Sequence, residues 1–283
     1  MSNARDIADS KGRVFYTSTI ISNSGSYTLT AGSSYNIIAI GAGGAGGAAG
    51  NFQNVNPPNG ALAAQGGGSG AICSKYVTAN SDITISISLG AGGIGVDTNT
   101  TGGVTTGGSG GATTVTGPSI NMSAGGGNGG QGARDTGSGS VSLPDISPAV
   151  ATGGDVSFAG KIAKAISSSS GYATAQSGAT PDRDSPTVSD LDNTGSGVNT
   201  TDNRDPIQGI LPFTEIAVSS GGGKIYQNSG AVSNTIAGNS ATSYGCGGGG
   251  ITTRSGDSST GLKDGQGGDG GPGVVVIKEY RNL

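Results

Sequence analysis

Hydrophobic and polar residues alternate most clearly at residues 83–88, where Ile83, Ile85 and Ile87 interleave with Thr84, Ser86 and Ser88. A period of two places one set on a buried face and the other in water, as a half-buried strand requires. Similar short runs rich in β-branched residues occur at 13–22 (RVFYTSTIIS), 26–30 (SYTLT) and 34–40 (SYNIIAI). Others lie at 71–77 (AICSKYV), 83–89, 112–115 and 274–280 (VVVIKEY). Recurrent short strands with turn signals between them predict an all-β domain, a sandwich or a barrel.

Between these strands the chain turns to glycine. Residues 41–50 read GAGGAGGAAG, with Gly41, Gly44, Gly47 and Gly50 at a period of three. The period recurs at Gly126, Gly129 and Gly132, and at Gly265, Gly268 and Gly271. A polyproline-II-like helix has three residues per turn and no internal hydrogen bonds, so glycine-edged helices of this kind can pack closely and bond backbone to backbone. The other reading is a set of flexible linkers. Packed, ordered runs are favoured, because a linker gains nothing from a period of three.

Residues 133–213 have a different texture. They hold six of the ten prolines (Pro144, Pro148, Pro181, Pro186, Pro206 and Pro212) and a concentration of charge from Asp182 to Asp205. The shift in composition predicts a long excursion of loops displayed by the β scaffold. Within it, residues 161–167 (KIAKAIS) could make two helical turns at most.

Composition narrows the function classes. Glycine supplies 59 of 283 residues, roughly three times the ordinary share. Charged residues are only 11%, which does not suit a highly charged disordered tail, and 10 prolines are too few for collagen. A generic metabolic enzyme is disfavoured too, because glycine weakens helix and strand interiors. The net charge of −4 is spread thinly and leaves no basic stripe for nucleic acid. The polar opening shows no apolar signal segment, and no run approaches a membrane span. Cys73 and Cys246 could form one disulfide, although two buried free thiols are the simpler expectation.

Motifs of chemistry fail on inspection. Residues 35–46 (YNIIAIGAGGAG) match the dinucleotide fingerprint at Gly41, Gly43 and Gly46. The helix that should open there is precluded by NFQNVNPP at 51–58, and no Asp or Glu lies between Asp9 and Asp82. Gly221, Gly222, Gly223 and Lys224 lack the Ser or Thr of a phosphate loop. One Asp269 in GQGGDGGPG is far short of a calcium site. The absence of histidine removes the usual general base and the commonest zinc ligand. No catalysis, cofactor or metal is expected, and solvated loop charge is the favoured reading of pairs such as Asp182 and Asp184.

The aromatics fall into two groups. Phe15, Tyr16, Tyr35, Tyr76 and Tyr280 lie in expected strands. Phe52, Tyr172, Phe213, Tyr226 and Tyr244 lie in loops or glycine stretches, where rigid rings offer contact area at low entropic cost, although they could equally cover scaffold edges. With Asp182 and Arg183 these five make the candidate binding set.

Taken in order, SYNIIAI, GAGGAGGAAG, GGGSGAICSKYV, ITISISLGAGG, GGSGGATTV, SAGGGNGG and GQGGDGGPGVVVIKEY resemble the glycine-rich domain of bacteriophage tail-fibre and receptor-binding proteins and of some bacterial surface proteins. The match covers about residues 25–132 and 219–280. The resemblance implies a β-sandwich, jelly-roll-like, with glycine-rich loops at one end, and is similar to the distal adhesins of T-even-like phages, where polyglycine-II helices present variable loops. It departs from them in opening and closing with regular strands, and residues 133–213 match nothing in that pattern. The opening SNARDIADS resembles a short attachment leader, so residues 1–12 are expected to be an attachment segment and 13–283 the domain. The resemblance further implies a virion protein of the phage tail, extracellular when acting. It would touch a host surface glycan or outer-membrane protein and a neighbouring tail or fibre protein. Separately, exposed strand edges that need covering predict a homotrimer, and the thin charge and absence of a long apolar run predict a chain that enters no membrane and binds no nucleic acid. The alternatives are a capsid or fibre building block without receptor contact, and a secreted polyglycine-II ice-binding or surface-matrix protein.

Overall fold

A computed structural model of the chain describes residues 13–50, 60–98, 103–135, 139–169, 172–189, 192–193, 200–228, 236–255 and 265–282. The described residues form an all-β fold without a helix, in several mostly antiparallel sheets. Two five-stranded sheets make a sandwich. The first runs Arg13–Ile21, Val274–Asn282, Ser33–Ile40, Ile72–Thr78, Val156–Phe158, and the second Ala151–Thr152, Ile120–Ala124, Thr113–Gly117, Ile83–Ser88, Gly25–Leu29.

Alternation decides what fills the sandwich. From the first sheet, Tyr35, Ile37, Ala39, Cys73, Val275 and Ile277 point inward, against Ile85, Ile87, Val115, Ile120 and Met122 of the second. The intervening residues Ile38, Ile40, Ile72, Val274 and Val276 form a second cluster on the opposite face, under Leu211, Val218 and Cys246. The central strand Ser33–Ile40 is therefore buried on both faces over its C-terminal half. Both cysteines are free and buried, one in each cluster. Burial pushes the Cys73 thiol up to about 11 and Cys246 up to about 12, the latter helped by the negative charge of Asp182.

The glycine runs begin where the sandwich strands end, and they are not loops. Gly41, Gly44 and Gly47 donate backbone hydrogen bonds to Ala71, Gly68 and Gln65 at 2.9 Å each. Ala42 and Ala45 donate to Gly111 and Gly108 at 3.1 and 2.9 Å, and Gly43 and Gly46 to Gly271 and Gly268 at 2.8 and 2.9 Å. Each third residue thus addresses the same neighbour, and all three neighbours run antiparallel to residues 41–47. On the acceptor side, Ala42 and Ala45 take bonds from Gly127 and Gly130, Gly44 and Gly47 from Gly248 and Ile251, and Gly43 from Gly93. One run is bonded to six others, the packing that a three-residue turn dictates when its backbone groups must find partners outside their own helix.

That packing explains the composition. A Cβ placed on Gly41, Gly43, Gly44 or Gly46 would collide with the carbonyl of Gly125, Cys246, Asn128 or Gly249 respectively. Ala42 and Ala45 keep their methyls and are fully buried. At the end of this array away from the sandwich, Ala48–Gly50 pairs with Ile251–Ser255 and Leu62–Ala64 with Gly132–Arg134 and Tyr172–Ala175, all in short strands.

The described residues of 133–213 differ from the expected excursion of displayed loops. They contribute further short strands, and Ala173, Ala175, Gln176 and Ala179 are fully buried. Gly178 and Ala179 donate to Gly221 and Gly67 at 2.9 Å, so this stretch joins the array. Two buried glutamines stitch it in. Gln65 Nε2 donates to the carbonyls of Pro144 and Lys164, at 2.8 and 3.0 Å, and Gln176 Nε2 to those of Lys164 and Pro186. Residues 161–167 form no helical turn, because Lys161 is committed at both backbone groups: its N–H donates to Ser69 Oγ and its carbonyl accepts from Ser69 N–H.

Candidate binding surface

The outer face of the first sheet is covered over only half its length. Reading the registers across it, Tyr280 pairs with Phe15 and Ser34, Asn36 with Tyr76, and Phe158 with Ile72, so all of these share the outer face. The apolar cover ends beyond Ile38: past it Asn36 and Tyr280 are half-buried and Phe15 and Tyr76 exposed, while Ser34 stays buried, and Val156 and Phe158 are exposed on the edge strand level with Ile38 and Ile40. Phe15 and Tyr280 meet edge to face at 5.9 Å between ring centroids, and Tyr280 and Tyr76 lie 6.1 Å apart. Offset and edge-on contacts are those that the ring quadrupole favours. Phe15, Tyr76, Val156 and Phe158 remain 37–48% exposed, which is unusual for large apolar residues sharing one sheet face. Between them, Ser74 Oγ donates to Asn36 Oδ1 at 2.6 Å, giving the strip polar groups.

A turn at residues 211–216 crosses this face. Leu211 anchors it with a fully buried side chain, and Thr214 N–H donates back to the Leu211 carbonyl at 3.1 Å. Leu211 N–H closes the turn on the Ile216 carbonyl at 2.8 Å. Phe213 takes a positive φ of 64°, a conformation rare outside glycine and a mark of local constraint, and its ring packs on Phe158 at 5.4 Å.

Two grooves flank the turn. The larger, about 520 Å³, is lined by Pro148, Phe158, Ala159, Gly160, Lys161, Ile162, Pro181, Asp182, Asp184 and Pro212. The smaller, about 260 Å³, lies between the outer face and the turn, lined by Phe15, Ser18, Ile20, Thr214, Glu215, Ile216, Val276 and Lys278. Apolar walls with a few polar groups at the rim are the ordinary make-up of a ligand-binding surface.

The structure gathers part of the expected site. Asp182 lines the larger groove and Phe213 stands at its edge, with exposed Arg183 on the same turn as Asp182. The Asp182 carboxylate also has a structural task, accepting from Thr180 Oγ1 at 2.8 Å and Ile210 N–H at 3.1 Å. Tyr244 is half-buried against the cluster beneath the turn and so supports the surface from below. Tyr172 and Tyr226 lie elsewhere, half-buried in strands Tyr172–Ala175 and Lys224–Asn228 at the far end of the array. Phe52 lies outside the described residues.

Phe15, Tyr76 and Tyr280 are absent from the expected set because strand aromatics read as scaffold, and Phe158, within the expected excursion, falls in neither group of aromatics. The available signal is Ser34 and Asn36 ahead of Ile38 and Ile40 on one parity of the central strand, which marks the point where cover stops.

No curated protein sequence matches this chain. The family model for a glycine-rich domain matches residues 19–280, from the first strand to the last and across both the sandwich and the array. The chain belongs to the glycine-rich domain family.

Proposed function

We propose that this protein is a structural component of a phage virion, a tail fibre or its receptor-binding tip, and that it works by adhesion to the host cell surface. The observation that supports this reading is the half-exposed aromatic strip and its two grooves on the outer face of a sandwich whose strands run directly into a backbone-bonded array, which leaves the mount little freedom to deform. A rigid mount lowers the entropic cost of binding, and many copies on one particle would turn weak single contacts into firm attachment. The binding partner would be a surface glycan or an outer-membrane protein, and a neighbouring tail component would carry the other end.

Fluorescently labelled protein is expected to bind some members of a panel of bacterial strains, and to block phage adsorption to the strains it binds. Replacing Phe158 and Phe213 together with alanine should lower that binding about tenfold or more, the scale on which aromatic hot spots act. Absence of binding to every strain, with no effect on adsorption, would sink the adhesive role and leave a building block without receptor contact.

A further inference from the structure

We propose that a second copy of this chain pairs with the first along the free edge of strand Arg13–Ile21, antiparallel about a two-fold axis at Thr19. The pairing is argued from the strand edge alone, although Ser18 and Ile20 also line the smaller groove.

That strand is the edge of the first sheet and is bonded to Val274–Asn282 on one side. Among the described residues, no backbone hydrogen bond satisfies its other side. Open edges in native proteins are normally guarded by charge, proline, a bulge or shortness. Here the guard covers only part of the edge. The register shifts between Phe15 and Thr17, leaving Tyr16 out of the ladder. The Arg281 guanidinium sits 3.5 Å from the Tyr16 ring centroid, and Nε also donates to Glu279 at 2.8 Å. From Thr17 to Ile21 the ladder is regular and nothing guards it.

The flank is also uncharged. No Asp, Glu, Lys or Arg occurs from Thr17 to Thr30, a stretch that includes Gly25–Leu29, the edge strand of the second sheet. Along these residues a second copy brings no like charge against the first, and the nearest charges, Glu215 and Lys278 beside Ser18 and Ile20, are of opposite sign. Alternation then fixes the register. Thr17, Thr19 and Ile21 are half-buried, with Ile21 packed on the sandwich core, while Ser18 and Ile20 are exposed. An axis at Thr19 sets Thr19 opposite Thr19, Thr17 opposite Ile21 and Ser18 opposite Ile20, so every pair stays on a matching face. A one-residue slip would exchange the faces, and a slip toward the N-terminus runs into the bulge. Pairing would also cover Ile20, which is 49% exposed.

Two-fold pairing fits this edge better than the expected trimer. A closed three-fold ring needs two different complementary edges. The opposite edge of the same sheet is Val156–Phe158, only three residues long.

Sedimentation equilibrium of the full chain should return a dimer. Thr19→Lys sets two cations face to face on the axis and should raise the dissociation constant about a hundredfold or more. Thr19→Cys covers the case in which the lysine variant does not fold. Paired strands hold facing residues within disulfide reach, so oxidation with copper phenanthroline should give a covalent dimer, while Val150→Cys, exposed on another part of the surface, should not. A monomer at all concentrations, a trimer, or equal cross-linking by the two cysteine variants would overturn the proposal.

Discussion

Gly43→Ala is expected to cost more stability than a single methyl group would suggest. The new Cβ would fall on the carbonyl of Cys246, a backbone group that cannot rotate away. Gly43 donates to Gly271 at 2.8 Å and accepts from Gly93 at 2.9 Å, so moving its backbone disturbs two further runs. Overpacking a tight interior costs about 1–3 kcal/mol and occasionally more, and this position belongs at the upper end because every contact is main chain. For a chain of this size a loss of about 3 kcal/mol lowers the melting temperature by roughly 6–12 °C. Gly25→Ala is the matched control, since a Cβ there meets nothing within 4 Å. Its denaturation midpoint should stay close to that of the unmodified chain. Equal effects from the two substitutions would mean that the runs are not packed against one another.

Leu211→Ala should have an effect at least as large, and it connects packing to the binding surface. The side chain is fully buried among Ile38, Ile40, Ile72, Val274 and Val276. Truncating such a leucine costs about 2–5 kcal/mol, with the spread set by how far the site can collapse. Collapse is restricted here, because the sheet below is held by its ladder and the array follows directly after it. The turn at 211–216 would lose its anchor, and Phe213 its hold on Phe158. Two readouts separate this from general destabilisation. Cys246 belongs to the same cluster, so its thiol should begin to react with a disulfide reagent under native conditions, while Cys73 in the other cluster stays inert. Binding to cells should fall at least as far as for the Phe158 and Phe213 double substitution. An unreactive Cys246 together with unchanged binding would show that Leu211 does not hold the turn in place.

The sandwich and the array are both legible in the sequence, for different reasons. Ile83, Ile85 and Ile87 report strand geometry directly, because a period of two has no other common cause. Gly41, Gly44 and Gly47 report packing, because a period of three sends each set of backbone donors to one neighbour. Residues 133–213 are not legible in the same way. Proline and aspartate usually mark exposed loops, and the burial of Gln176, Ala173 and Ala175 depends on partners such as Leu62–Ala64, more than a hundred positions away in the chain. The binding surface is half legible for a related reason. Asp182 and Phe213 stand out as loop residues, but Phe15, Tyr76 and Tyr280 look like scaffold until the cover over the sheet is known to end. Local alternation identifies faces, while only tertiary structure says which face is left open.

The whole architecture depends on residues 41–47 being an ordered, fully hydrogen-bonded element. Native-state hydrogen exchange tests this most directly, since every amide from Gly41 to Gly47 donates to a backbone carbonyl. Opening the array should require global unfolding, so these amides should exchange about a thousandfold or more slower than free peptide, in step with Ser33–Ile40. Exchange at the free-peptide rate across 41–47, with Ser33–Ile40 still protected, would contradict the array and return the glycine runs to flexible linkers.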